Sequence, residues 1–179
     1  MSLSIAEPWV WKPHPEVWLL VAAIAVLGWW ATRVIGPKVV PNGEQVVTPA
    51  QRRTFILAVV LLLVAADWPV HDIAEDHLYS AHMLQHLLIT FIVPPLFLLA
   101  TPAWLVRLLL LEGGISSRVL RRLTHPVVAG LTFNALAALT HWSSVVRQSA
   151  ESGAFHYAMH LAMFGSALLM WMPVASPLR

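Results

Sequence analysis

No cysteine occurs in the 179 residues of this chain. That excludes disulfides, thiolate zinc sites, Cys-x-x-Cys redox or copper-carrier motifs, and thiol nucleophiles. Any metal must therefore bind imidazole, thioether, carboxylate or backbone oxygen. Charge is scarce as well. Asp, Glu, Lys and Arg make up 11% of the sequence, against roughly a quarter in a soluble globular domain. A net charge of +2 is too small to argue for nucleic acid as a partner. A Ser–His arrangement, a catalytic carboxylate pair and a phosphate-cradling loop are also missing, so no enzymatic reaction is expected. Nor does the N-terminus show the basic region of a secretory leader. Glu7, Lys12 and Glu16 precede the first apolar run, which ends in WWATR rather than at a small-residue cleavage site. That run is expected to be a retained span.

Apolar residues are abundant, at 58% with a mean hydropathy of +0.70. So little charge cannot cover a surface in water, so lipid must be part of the solvent. The length suits one domain, and the expectation is an all-α integral membrane helical bundle over residues 1–179. Crossing the hydrocarbon takes about 20 residues. Five segments fit, near residues 17–35, 54–70, 78–99, 126–146 and 154–174. AWLVRLLLLEGG, near residues 103–112, is too short to cross and carries Arg107 and Glu112, so it reads as an interfacial helix ended by Gly113 and Gly114. Pro94 and Pro95 should kink or break the third span.

Basic residues favour cytoplasmic loops. Of the eleven Lys and Arg, Lys12 and Arg147 alone fall on the side predicted to be outer. The acids Asp67, Asp72, Glu75 and Asp76 gather between spans two and three, and Glu7, Glu16 and Glu151 share their side. This places the N-terminus outside and the C-terminus in the cytoplasm, in a plasma (inner) membrane. The tryptophans agree with it: Trp9, Trp11, Trp18, Trp68 and Trp142 map to outer ends, Trp29, Trp30, Trp104 and Trp171 to inner ends.

With that topology, most histidines land near the outer face. His71 follows span two, and His77 precedes span three, whose first turns hold His82 and His86. His141 ends span four, and His156 and His160 open span five. In HMLQH and HYAMH the histidines are spaced i, i+4, so each pair shares a helix face. Met83 lies beside the first pair, and Met159 and Met163 extend the face of the second. Imidazole suits several transition metals and thioether favours Cu(I), so His with Met and no thiolate points toward copper. The expected ligands are His82, His86, His141, His156 and His160. Met83, Met159, Met163, Gln85, His71 and His77 are secondary candidates, and Asp67 is one that either ends a helix or orients a ligand histidine. Each has a plainer reading: intramembrane histidines as interhelical hydrogen bonders, His141 as an interfacial anchor, His71 and His77 as solvated residues, the methionines as packing, and Arg118, Arg121 and Arg122 as a topogenic cluster.

The stretch WPVHDIAEDHLYSAHMLQHLLITFIVPPLFLLATPAWL resembles the core of the CtaG-type cytochrome c oxidase assembly factors. Its most specific parts are Ser-Ala-His-Met-x-Gln-His, then Pro-Pro, then Thr-Pro-Ala-Trp. TH-W and HYAMHLAMFGSALLMWMPV are similar to the family's later His-x-x-x-His helix, and together the matches run from Ala66 to Val174. The resemblance implies a multi-pass protein that supports maturation of haem-copper oxidases through copper delivery, with an oxidase subunit and membrane lipid as partners. His82, Met83, Gln85, His86, His141, His156 and His160 match the motifs. It also implies a longer chain with further spans, so this sequence reads as short at its C-terminus. Two other functions compete. A haem-binding electron carrier would use histidines of two helices as axial ligands. A metal or proton transporter would need a polar path inward, yet Phe91 to Leu99 offers no polar side chain.

Overall fold

The structure, a computed structural model, describes residues 11–110 and 115–175. Among the described residues every regular element is helical. Four helices are long and apolar enough to cross a membrane: α1 (Pro15–Val39), α2 (Pro49–Ala66), α4 (Tyr79–Ala100) and α9 (Gly153–Ala175). Shorter helices are α3 (Val70–Asp76), α5 (Ala103–Leu110), α6 (Ile115–Leu123), α7 (Pro126–Thr140) and α8 (Ser143–Glu151). The predicted count of five spans is thus corrected to four. The fourth expected span is α7, which stops at Thr140, short of a crossing length. There the Thr140 hydroxyl (2.9 Å) and His141 Nδ1 (2.7 Å) both donate to the Ala137 carbonyl, which the next helical turn would otherwise use. The chain then starts α8 after Trp142. The interfacial helix predicted at 103–112 begins as α5; Leu111, Glu112, Gly113 and Gly114 lie outside the described residues.

The chain forms two compact units, one ending at Val93 and the other starting at Pro94, so their boundary falls inside α4. In the first unit, Thr48 and Gln51 start α2 with reciprocal side-chain-to-backbone bonds of 3.2 and 3.0 Å. Ala58, Leu62 and Ala65 form the buried stripe of α2, and Ile89, Thr90 and Val93 that of α4. Ala58 and Ala65, the small residues of the α2 face, let backbones approach, which matters where lipid offers no hydrophobic drive between helices. Gly28 of α1 meets the Phe55 ring so closely that an added Cβ would lie 2.6 Å from its Cζ. Around this core, large apolar side chains such as Leu19 (72% exposed) point outward, an arrangement suited to acyl chains rather than water.

Pro94 does not break α4. A π-helical segment, Leu88–Ile92, precedes it, and α-helix resumes at Val93. The wider turn accommodates a proline that lacks an N–H and crowds the carbonyl four residues back. Thr90 donates its hydroxyl to the His86 carbonyl at 2.6 Å in the same stretch.

In the second unit α7 packs on α9 around Phe133, Met163 and Ala167, with Leu136, Ala137 and Met170 alongside. Phe97 meets Phe164 edge to face at 6.2 Å. Among the described residues, α9 contains no charged side chain in its 23 residues, as a helix surrounded by lipid requires.

Candidate metal site

The predicted histidines divide between the units. The first holds His71, His77, His82 and His86; the second holds His141, His156 and His160. Each is described within its own unit.

α4 begins at Tyr79 after Leu78 takes an extended conformation that separates it from α3. The break lets α3 fold back against the first turns of α4. His82 and His86 then project from one face, as their spacing predicts. Their Nε2 atoms lie 2.9 Å apart and their ring centroids 4.4 Å apart. The other nitrogen of His82, Nδ1, lies 3.0 Å from Glu75 Oε1 of α3. The Tyr79 ring stacks on His82 at 6.2 Å, with 19° between the planes. His82 is thereby held on three sides.

Gln85, between the two histidines in sequence, turns inward and is 1% exposed. Its Nε2 donates to the Ala65 carbonyl at 2.8 Å and lies 3.0 Å from His71 Nδ1. His71, a secondary candidate whose plainer reading is a solvated residue, sits on α3, is half-buried and lies beside the buried Gln85 amide. His77 caps the C-terminus of α3 through its backbone N–H. Met83 follows His82 and is half-buried.

Asp67 stands at an end of α2. It caps α2, and its Oδ2 accepts a 2.9 Å bond from Trp18 Nε1 of α1. The carboxylate that meets a histidine of the pair is Glu75, which the sequence did not single out. A second carboxylate–histidine contact was also missed: Asp72, 6% exposed, meets His14 Nε2 at 3.1 Å and Lys12 Nζ at 3.6 Å.

In the second unit His156 and His160 stand with ring centroids 4.5 Å apart at 58°. Ser149 of α8 lies 3.1 Å from His156 Nδ1. His141 caps α7. Met159 is half-buried. Met163 belongs to the buried core cluster with Phe133 and Ala167.

The donor set is paired imidazole with carboxylate support and no thiolate, which suits a borderline transition metal rather than calcium or magnesium. An i, i+4 pair with its Nε2 atoms converging on 2.9 Å presents two nitrogens to one ion. It cannot act as the two axial ligands of one haem, because no porphyrin ring fits between atoms that close.

The family model described as cytochrome c oxidase caa3 assembly factor (Caa3_CtaG) covers residues 24–179. Neither a curated protein nor a solved structure matches the chain.

Proposed function

The chain belongs to the cytochrome c oxidase caa3 assembly factor family, and from that premise we propose that it binds copper as cargo and passes it to an apo-oxidase subunit. The observation that carries this reading is the 2.9 Å approach of His82 Nε2 to His86 Nε2 on a helix long and apolar enough to cross a membrane. Ionisable side chains are costly in a span and persist where they bind or transfer something. His156 and His160 give α9 a second imidazole pair, and His141 adds a further donor. Transfer would proceed by ligand exchange: imidazoles hold the ion reversibly and yield it to a site with more or softer ligands.

The same reading places the histidine-bearing helix ends toward the extracytoplasmic side. The bias of Lys and Arg toward the C-terminal end of α1 (Arg33, Lys38), the start of α2 (Arg52, Arg53) and the Arg118–Arg122 segment supports this orientation. The cysteine-free chain makes it directly testable. In intact cells, a membrane-impermeant thiol reagent should label Ser152→Cys and leave Gly43→Cys unlabelled; the reverse pattern contradicts the orientation.

Copper binding is tested by elemental analysis of detergent-purified protein after exposure to Cu(I) or Cu(II). The wild type should retain copper, and the His82→Ala/His86→Ala double variant should lose most of it. Equally low copper in both would refute the reading.

A further inference from the structure

The neighbours of the histidines on α3 and α4 sort them into ligand and non-ligand, and this inference rests on the copper-binding reading above. A neutral imidazole carries one proton, and the hydrogen bond at one nitrogen decides whether the other is bare. A metal ligand needs a bare nitrogen. We propose that Glu75 is a positioning residue that fixes the proton of His82 on Nδ1 and so presents a bare Nε2 to the ion, whereas buried Gln85 fixes the proton of His71 on Nε2 and withholds that nitrogen from binding.

For His82 the argument starts from the carboxylate. Glu75 Oε1 accepts at 3.0 Å, so His82 Nδ1 is the donor. His82 Nε2 is then the acceptor of the 2.9 Å contact with His86, and His86 Nε2 the donor. Donation thus runs one way, from His86 through His82 to Glu75. An incoming ion takes the place of the proton on His86 Nε2, and that proton moves to His86 Nδ1 so that the ring stays neutral, while the His82–Glu75 bond stays intact; the Gln85 NH2 facing His71 Nδ1 opposes the same shift in His71. A carboxylate behind a ligand histidine both orients the ring and raises its basicity. Glu75 acts through His82, because its oxygen meets the nitrogen on the far side of the ring from the pair.

For His71 the argument starts from a backbone carbonyl. The Ala65 carbonyl accepts only, so the group 2.8 Å from it must be the amide NH2 of Gln85, which settles the orientation of that amide. The same nitrogen lies 3.0 Å from His71 Nδ1, which must therefore accept. The neutral His71 ring then carries its proton on Nε2. Two histidines within one unit are set to opposite tautomers by one carboxylate and one amide.

The test uses full-length protein labelled with 15N-histidine in detergent, without metal, so it does not depend on copper. His82 and His71 signals are assigned by their disappearance in His82→Ala and His71→Ala. In the wild type, His82 should show the Nδ1-protonated signature and His71 the Nε2-protonated one. Glu75→Ala should move His82 toward the other tautomer, and Glu75→Gln, whose amide oxygen still accepts, should restore the wild-type signature. Gln85→Leu should release His71 without altering His82. Wild-type His82 protonated on Nε2, or a His82 signature unmoved by Glu75→Ala, overturns the role of Glu75. Nδ1-protonated His71 in the wild type overturns that of Gln85. Copper titration adds the functional arm. Glu75→Ala should weaken affinity by roughly 10–100-fold and Glu75→Gln much less, at unchanged melting temperature. Equal affinity in all three proteins counts against Glu75. A wild type that takes up no copper refutes the copper reading, while the tautomers still decide the positioning claim.

Discussion

The two His-x-x-x-His pairs are alike in spacing and unlike in support. Ring centroids lie 4.4 Å apart in His82–His86 and 4.5 Å apart in His156–His160, and the interplanar angles, 64° and 58°, are close. What stands behind them differs. His82 Nδ1 meets the Glu75 carboxylate at 3.0 Å, whereas His156 Nδ1 meets the Ser149 hydroxyl at 3.1 Å. A carboxylate accepts only, and a hydroxyl donates or accepts as required. On the proposal above, the carboxylate holds the proton on His82 Nδ1, whereas the hydroxyl leaves His156 Nδ1 able to donate or accept. A repeated motif does not guarantee repeated chemistry; a partner from a neighbouring helix decides it.

Variants can break or sharpen this contrast. The largest effect is expected from His82→Ala/His86→Ala, which should reduce copper affinity by more than His156→Ala/His160→Ala does in parallel titrations of the purified proteins. Equal losses would make the pairs equivalent and remove the contrast. Ser149→Ala should weaken copper binding only a few-fold, less than Glu75→Ala, since a hydrogen bond to a neutral partner is weaker than one to a carboxylate. A Ser149→Ala loss as large as that of Glu75→Ala would reverse the ranking.

Stability variants sharpen it from the packing side. Met163→Ala opens a cavity against Phe133 and Ala167 and should cost about 2 kcal/mol, with copper uptake retained. A loss of copper at normal stability would assign Met163 a ligand role instead. Gln85→Leu leaves the Ala65 carbonyl without its 2.8 Å partner and should cost about 1–3 kcal/mol. Both effects are read from thermal unfolding in detergent. A Gln85→Leu protein as stable as the wild type would show that the buried amide contributes nothing net.

Most of the membrane architecture was legible because it depends on long local runs. α1, α2, α4 and α9 each carry an apolar stretch long enough to cross, with charges at or beyond its ends, and period and length suffice to find them. The end of α7 was not legible. The expected span continued across HWSS to Val146, but side-chain hydrogen bonds to the Ala137 carbonyl end the helix at Thr140, and hydropathy does not register competition for a carbonyl. Within the candidate site, the His82–His86 approach followed from helical spacing alone. Glu75 did not, because it lies seven residues before His82. On a continuous helix that separation is about 10 Å along the axis. The extended Leu78 returns α3 onto α4 and turns it into a hydrogen bond. Gln85 and His71 are fourteen residues apart and meet through the same fold-back. Sequence located the pair on α4, and tertiary contact supplied what orients it.

X-ray absorption at the copper edge of the copper-loaded protein tests the central claim most directly. The account predicts a nitrogen shell at about 2 Å with imidazole scattering, reduced when His82 and His86 are replaced by alanine. A shell without imidazole, or an imidazole shell unchanged in that double variant, would contradict it.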